Sequence, residues 1–179
     1  TITFTSGVSS ANVGSSNNVY TTQSGMTNYV WSVSSGGSIT SGGSANTNTV
    51  SVTWNTSGTQ YVTVNYSNTN GCSAIQSATY TVTVNSSPTG YNVTGGGSYC
   101  SGGAGLPIGL SGSQTGVNYQ LKLNGVNDGA TIAGTGSSLS FGVKTTAGTY
   151  TVVATNPTTS ATSNMNGTAI VTVNPLPTI

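Results

Sequence analysis

The stretch Val82–Thr89, VTVNSSPT, recurs as Val171–Thr178, VTVNPLPT, 89 residues further along the chain, with six of eight positions identical. The alternation of valine with threonine predicts a β-strand in both copies. The proline that follows ends the strand, because proline has no N–H to donate to a neighbouring strand. A repeated last strand with a stiff exit predicts two domains, residues 1–86 and 87–179. Each is close to the roughly 100 residues of an immunoglobulin-like sandwich.

The same two-residue alternation runs through the rest of the chain. Thr49–Trp54, Gln60–Tyr66 and Asn118–Leu123 place apolar side chains on one face of a strand and polar ones on the other. Gly, Asn and Ser cluster between such stretches, as in Asn68–Gly71, and mark turns. Short alternating strands separated by turns are typical of β-sandwiches. We therefore expect an all-β chain of two tandem sandwiches joined by a short linker that contains proline.

The alternation also predicts which side chains form the two cores. A register error of one residue would turn every one of them to the opposite face. In the first domain the predicted core comprises Trp31, Val33, Val50, Val52, Val62, Val64, Val82 and Val84. In the second domain it comprises Leu121, Leu123, Tyr150, Val152 and Val171.

Ionic side chains are almost absent, and this excludes most kinds of catalytic and metal-binding site. Lys122, Lys144 and Asp128 are the only ones, and there is no Arg, Glu or His. Acid–base catalysis needs a positioned titratable group, and glycoside hydrolysis needs two carboxylates. We therefore expect no enzyme, no catalytic residues, no cofactor and no metal site. Without clustered cations or a run of about 20 apolar residues, we expect neither nucleic-acid binding nor membrane insertion.

Longer motifs resemble repeats of very large surface proteins from Bacteroidetes. In the first domain Tyr20–Thr22, Gly25–Trp31 and Asn70–Cys72 are similar to their PKD-like repeats. In the second, Leu110–Tyr119 and Ala147–Ala154 are similar to their immunoglobulin-like repeats, and Val171–Thr178 to their linkers. The resemblance implies an extracellular, cell-surface adhesin of the SprB type, exported by type IX secretion and connected with gliding motility.

In that setting the chain would be a shaft or stalk segment with a structural and adhesive role. Its partners would be neighbouring repeats of one long chain, and surface polysaccharide or an abiotic surface. Two alternatives stay open: a carbohydrate-binding accessory module of a secreted enzyme, and a subunit of an extracellular filament.

Exposed aromatic side chains would favour the carbohydrate-binding alternative, because sugars stack on aromatic rings. Trp54, Tyr61 and Tyr66 are the candidates for such stacking, whereas Trp31 is interpreted as the core tryptophan of a sandwich strand. A second hypothesis concerns Lys122 and Lys144, either of which could form an intramolecular isopeptide bond with an Asn, promoted by Asp128. The simpler interpretation of both lysines is a surface charge.

The two cysteines, Cys72 and Cys100, depart from the family pattern. Repeats of this kind usually carry two cysteines each, and Asn12 and Ala161 stand where the resemblance implies the missing partners. If Cys72 opens the last strand of the first domain, that strand carries the chain about 40 Å toward the linker at ~3.3 Å per residue. A disulfide needs Cα atoms within about 7 Å. We therefore predict that Cys72 and Cys100 are unpaired thiols.

Overall fold

In a computed structural model, which describes residues 1–178, the chain divides into two compact units, Thr1–Ser86 and the residues from Ser87 onward. None of residues 1–178 lies in a helix, so none of them belongs to a helix capable of crossing a membrane. Both units consist of antiparallel sheets with one parallel strand pair each. The prediction of an all-β chain with a sandwich fold is confirmed.

Unit 1, the residues Thr1–Ser86, contains eight strands in two four-stranded sheets. In chain order they are β1 (Phe4–Ser6), β2 (Ser10–Asn12), β3 (Asn18–Thr22), β4 (Thr27–Val33), β5 (Gly37–Gly42), β6 (Thr49–Trp54), β7 (Gly58–Ser67) and β8 (Ala78–Asn85). One sheet has the order β1-β3-β6-β5 and the other β2-β8-β7-β4. These orders correspond to the ABED and CFG sheets of an immunoglobulin constant-type domain, with β2 as an additional strand beside G.

The core of unit 1 fills the space between these two sheets. Trp31 lies on β4, which corresponds to strand C, and is buried there, as expected for the core tryptophan of this fold. The predicted core valines Val50, Val52, Val62, Val64, Val82 and Val84 are buried with it. Val33 is only partly buried, because it ends β4 at the rim of the sandwich.

Unit 2, the residues from Ser87 onward, contains ten further strands. They are β9 (Val93–Gly95), β10 (Gly97–Cys100), β11 (Leu106–Leu110), β12 (Asn118–Leu123), β13 (Val126–Asn127), β14 (Ile132–Ala133), β15 (Leu139–Lys144), β16 (Gly148–Thr155), β17 (Thr162–Asn164) and β18 (Ala169–Asn174). One sheet has the order β15-β11-β9. The other has the order β10-β18-β16-β12-β13, with β14 also on β12 and β17 also on β16.

The second core lies between these sheets. Leu121, Tyr150, Val152 and Val171 are buried in it. Leu123 is half-buried, because it is the last residue of β12 and pairs with Val126 across a two-residue hairpin turn. Asn124 and Gly125 form this turn with φ angles of 48° and 86°. Positive φ at both central residues is what such hairpin turns require, and Asn-Gly satisfies it.

We expect Leu121→Ala to destabilise unit 2 by about 2–5 kcal/mol, since it removes a fully buried side chain from a close-packed core. Both tryptophans lie in unit 1, so fluorescence follows that unit alone, whereas far-ultraviolet circular dichroism follows both. In urea, the part of the circular dichroism signal that comes from unit 2 should be lost at a lower urea concentration. The transition followed by fluorescence should not change. Val126→Ala, at an exposed position of the same sheet, should change stability by no more than about 0.5 kcal/mol. Equal losses in the two variants would contradict the assigned strand register.

Candidate functional site

The outward face of sheet β2-β8-β7-β4 carries an exposed aromatic ring. Tyr61 lies on β7 between Gln60 and Val62, which both point inward, so its own ring points to solvent and is 44% exposed. Thr81 on β8 pairs with Tyr61, and Val30 is exposed on the same face of β4. Of the three residues predicted as candidates for ligand stacking, Tyr61 is the one whose ring is available to a ligand.

Hydroxyl groups surround Tyr61 on this outward face. The Ser32 and Thr63 hydroxyls lie 2.6 Å apart across β4 and β7. The Ser34 hydroxyl accepts a hydrogen bond from the Tyr61 backbone N–H at 3.0 Å. We call this surface the Tyr61 face: Val30, Ser32, Thr59, Tyr61, Thr63, Thr79, Thr81 and Thr83. It has no ionic side chain, and it combines one ring with an array of hydroxyl donors and acceptors.

Trp54 was predicted as a possible stacking residue, and the structure corrects this. It is fully buried, because it continues the inward parity of Val50 and Val52 on β6. Its Nε1–H donates to the Tyr20 hydroxyl at 3.1 Å, which donates in turn to the Val8 carbonyl at 3.1 Å. A Cβ at Gly37 would lie 2.5 Å from the Trp54 ring, so the glycine makes room for it.

Tyr66 is the second correction. It shares the inward parity of Val62 and Val64 on β7, and only 6% of it is exposed. Its ring packs against Tyr29 with centroids 5.5 Å apart. The Tyr66 hydroxyl is buried without a hydrogen-bond partner, and other atoms of the residue line a cavity of about 340 Å³. A stacking role is therefore excluded for its ring.

Cys72 lines the same cavity and lies in the β7–β8 loop. Both Cys72 and Cys100 are exposed free thiols. Cys72 does not open the last strand, as the sequence had suggested, because β8 begins only at Ala78. The implied partner position at Asn12 is wrong as well. Asn12 pairs with Asn85 at the far end of β8, and β8 itself is about 23 Å long at ~3.3 Å per residue.

The partner position implied for Cys100 is also wrong. Cys100 pairs with Asn174, the last residue of β18. Pairing between β18 and β16 ends at Val171, which lies opposite Gly148, the first residue of β16. Cys100 and Asn174 therefore lie beyond the beginning of β16. Ala161 is buried beside the other end of β16, where its carbonyl accepts from the Asn156 N–H at 2.8 Å. The length of β16 therefore separates the two positions.

Two of the three ionic side chains form an ion pair in unit 2. The Lys144 ammonium lies 2.7 Å from Asp128 Oδ2, and both side chains are partly exposed. Such a pair contributes at most about 1 kcal/mol. Asp128 is the only carboxylate of the chain and is occupied by this lysine. Asp128 therefore neutralises Lys144, and an isopeptide bond at either lysine stays a prediction.

Buried tyrosine hydroxyls are the other titratable groups of note. Burial raises the pKa of Tyr20, although the hydrogen bond from Trp54 opposes this. Burial likewise raises the pKa of Tyr119, whose hydroxyl accepts from the Gln114 N–H at 2.8 Å, and the pKa of Tyr150. Within residues 1–178, no three His, Cys, Asp or Glu side chains come together as metal ligands.

Neither a protein-family profile nor a curated protein sequence matches the chain. Among solved structures, the D00-D0 domain of intimin is similar with a TM-score of 0.42 and 17% identity, covering 96% of this chain and 99% of that one. The fibronectin(III)-like modules of Clostridium thermocellum CbhA have a TM-score of 0.39 and 12% identity, covering 97% and 95%. Murine CEACAM1b has a TM-score of 0.40 and 12% identity, covering 93% and 96%. Similarity at these levels carries no argument about function.

We expect the free energy of unfolding to decrease as the pH rises above about 10. The pKa values of Tyr20, Tyr119 and Tyr150 are raised above 10.0 in the folded chain, so the folded state keeps protons that the unfolded state releases. Below pH 10 both states hold these protons, and the stabilisation is fully present.

Urea unfolding at pH 9, 10 and 11 measures this decrease. Tyr119→Phe should reduce its slope, whereas Val126→Ala, which removes no titratable group, should leave the slope unchanged. A stability that stays constant or increases between pH 9 and 11 would contradict the assignment.

Proposed function

We propose that the chain is a structural and adhesive repeat segment of an extracellular, cell-surface protein, and that it is not an enzyme. Its task is to transmit tension between its two ends while remaining folded. The observation that carries this proposal is a parallel strand pair that joins the beginning to the end of each unit.

In unit 1 the pair is formed by β2 and β8. Ser10 pairs with Thr83 and Asn12 with Asn85 in parallel register. The Thr83 N–H donates to the Ser9 carbonyl at 2.9 Å, and the Val13 N–H donates to the Asn85 carbonyl at 2.9 Å. The Asn85 side chain reinforces the pair, because its amide donates to the Ser10 hydroxyl and the Ala11 carbonyl, both at 3.1 Å.

In unit 2 the corresponding pair is formed by β10 and β18. Gly97 pairs with Val171 and Cys100 with Asn174, again in parallel. The Ser101 N–H donates to the Asn174 carbonyl at 2.9 Å. Asn85 and Asn174 are the equivalent residues of the repeated VTVN motif. The motif that divides the sequence therefore forms one strand of this parallel pair in both units.

Parallel pairing of a strand near the beginning of a unit with its last strand determines how the unit responds to force. Tension on the two ends pulls these strands in opposite directions along their own length. The hydrogen bonds between them are then loaded together in shear, whereas an antiparallel hairpin pulled at its open end would lose them one at a time. Resistance to forced unfolding is governed by the unfolding rate, and the cooperative loss of several bonds makes that rate low.

The scarcity of charge supports the same role. The chain has two lysines and one aspartate. Repeats of this composition would exert little electrostatic force on each other, so the salt concentration should have little effect on them. It also supports the absence of catalysis, since the chain offers no His, no Glu and one Asp, which is paired with Lys144.

The more specific assignment rests on the motifs that resemble PKD-like and immunoglobulin-like repeats. We propose that the parent protein is a SprB-type adhesin exported by type IX secretion and used in gliding motility. The partners of this segment would be neighbouring repeats of the same long chain and a surface polysaccharide or abiotic surface.

A second candidate function is carbohydrate binding at the Tyr61 face. The specific observation that favours it is the exposed Tyr61 ring among uncharged hydroxyls, which suits a sugar better than an ionic ligand. A single ring offers less stacking area than the line of aromatics that the sequence left open, because Trp54 and Tyr66 are buried. Binding through this face would be weak at one segment and would gain strength from repetition along a long chain.

We expect Thr83→Pro to lower the force at which unit 1 unfolds. The substitution removes the N–H that donates to Ser9 and thereby weakens the β2–β8 pair. Single-molecule stretching of the whole chain measures this, and unit 2 serves as the internal reference. Thr40→Pro is the control, since Thr40 lies at an irregularity of edge strand β5 outside the parallel pair. An unchanged unfolding force in Thr83→Pro, or an equal reduction in Thr40→Pro, would contradict a mechanical role for β2–β8.

We expect Tyr61→Ala to abolish any binding of the chain to immobilised glycans, because it removes the only ring exposed on the Tyr61 face. Tyr61→Phe should retain most of that binding. Val30→Ala, on the same face, controls for a general loss of apolar surface. Binding on a glycan array that survives Tyr61→Ala would place the sugar site elsewhere.

A further inference from the structure

Asparagine is followed by glycine at three places in the chain, Asn70–Gly71, Asn124–Gly125 and Asn166–Gly167. An Asn-Gly pair can react with itself, because glycine has no Cβ to keep its backbone nitrogen away from the preceding side-chain amide. All three asparagines are exposed, and the glycines have φ angles of 80°, 86° and 71°. Exposure and glycine conformation therefore do not separate the three sites, whereas their hydrogen bonds do.

Asn124 is held by strand β16. Its N–H donates to the Thr149 carbonyl at 2.9 Å, and its side-chain Oδ1 accepts from the Thr149 N–H at 3.0 Å. Strand β16 lies in the interior of its sheet, between β18 and β12. The amide that would react is thus fixed to a rigid element, and moving it toward the Gly125 nitrogen requires the loss of the bond to Thr149.

Asn166 is held by the segment that leads into β9. Its N–H donates to the Tyr91 carbonyl at 2.8 Å, and its carbonyl accepts from the Val93 N–H at 2.9 Å. That carbonyl belongs to the same peptide group as the Gly167 nitrogen, which would have to attack the side chain. Turning this peptide group breaks the bond to Val93, the first residue of β9, and so requires two distant segments to separate.

Asn70 is held only within its own turn, which lies between β7 and β8. The Gly71 N–H donates to the Asn68 carbonyl at 2.9 Å, and Asn68 Oδ1 accepts from the Asn70 N–H at 3.0 Å and the Cys72 N–H at 2.9 Å. Among residues 1–178 the Asn70 side chain itself has no hydrogen-bond partner. Opening this exposed turn separates no strands, and such local openings cost far less than unfolding a unit.

We propose that Asn70 is a site of spontaneous covalent modification, where the folded chain loses the side-chain amide as ammonia faster than at Asn124 or Asn166. The turn around Asn68 sets the rate, because its hydrogen bonds must open before the Gly71 nitrogen reaches the Asn70 side chain. The site goes beyond the mechanical and adhesive role and does not depend on it.

The reaction uses water as its only co-reactant. The Gly71 backbone nitrogen attacks Asn70 Cγ and forms a five-membered succinimide ring. The side-chain nitrogen leaves as ammonia and takes the proton of the Gly71 N–H. Water then opens one of the two ring C–N bonds, which gives aspartate, or isoaspartate with the main chain passing through Cγ. In sum, one asparagine and one water become one acidic residue and one ammonia.

The product changes the charge of unit 1 in a way that few proteins would notice. Lys122, Lys144 and Asp128 all lie in unit 2, so unit 1 has no ionic side chain before the reaction. The new carboxylate is its first, and it lowers the formal net charge of the chain from +1 to 0. The modification therefore marks the age of a folded chain by a charge at one defined turn.

The test incubates the whole chain in neutral buffer, folded and unfolded in urea, and follows the three Asn-Gly sites by peptide mass spectrometry. In the folded chain we expect the amide of Asn70 to be lost at least about five times faster than those of Asn124 and Asn166. In urea the three rates should agree within about twofold, because the hydrogen bonds that separate them are gone.

Three variants test the role of the turn. Asn68→Ala removes the Oδ1 acceptor and should increase the rate at Asn70 at least about threefold, with the rates at Asn124 and Asn166 unchanged. Asn48→Ala is the matched control, since it removes a side-chain hydrogen bond to the Thr22 carbonyl elsewhere in unit 1 and should leave the rate at Asn70 as it is. Asn70→Gln should prevent the loss, because the longer side chain would have to close a six-membered ring.

Tryptophan fluorescence verifies that unit 1 stays folded in each variant, since both tryptophans lie there. Loss at Asn124 or Asn166 that is as fast as at Asn70 in the folded chain would overturn the proposal. An unchanged rate at Asn70 in folded Asn68→Ala, or an equal increase in Asn48→Ala, would overturn the role of the turn and with it the proposal.

Discussion

The pairing of backbone N–H and C=O groups between strands is the interaction on which both units depend. Almost no ionic side chain is available to support the fold, and the ion pair between Lys144 and Asp128 lies partly exposed in unit 2. Strand pairing also imposes alternation, because successive side chains point to opposite faces of a sheet. Every inward position must therefore be apolar or internally hydrogen-bonded. Every outward position is free to carry a hydroxyl, and the sequence is rich in serine and threonine there.

Alternation explains how far the sequence determined the aromatic positions. Val62 and Val64 were predicted to point inward on β7, and the same parity buries Tyr66 and exposes Tyr61. On β6 the parity of Val50 and Val52 buries Trp54. The signal that separates the three aromatic candidates was therefore present in the sequence. The inward parity of β6 contradicts a stacking role for Trp54, and that of β7 contradicts one for Tyr66.

Other features depend on contacts between distant strands, and no local pattern contains them. The position of Cys72 relative to Asn12 follows from the parallel pairing of β2 with β8, which places Asn12 opposite Asn85. Sequence spacing cannot show that Cys72 lies before the beginning of β8, whereas Asn12 pairs at the far end of β8. The cavity at Tyr66 is of the same kind, since residues near Thr1, before β4 and after β7 form its walls. Such a site becomes visible only when the strand order of the two sheets is known.

The repeated VTVN motif now has a physical reason in both units. A last strand in a sandwich needs an inward-facing apolar side at alternate positions, which Val82 and Val84 supply in unit 1. It must also bond on both edges, because β8 lies between β7 and β2. The backbone carbonyl of the asparagine that ends the motif accepts a hydrogen bond in each unit. The donor is the Val13 N–H for Asn85 and the Ser101 N–H for Asn174. The proline after it then prevents further pairing and directs the chain away from the sheet. Each element of the motif thus contributes to ending a unit on a strand that is hydrogen-bonded to neighbours on both edges.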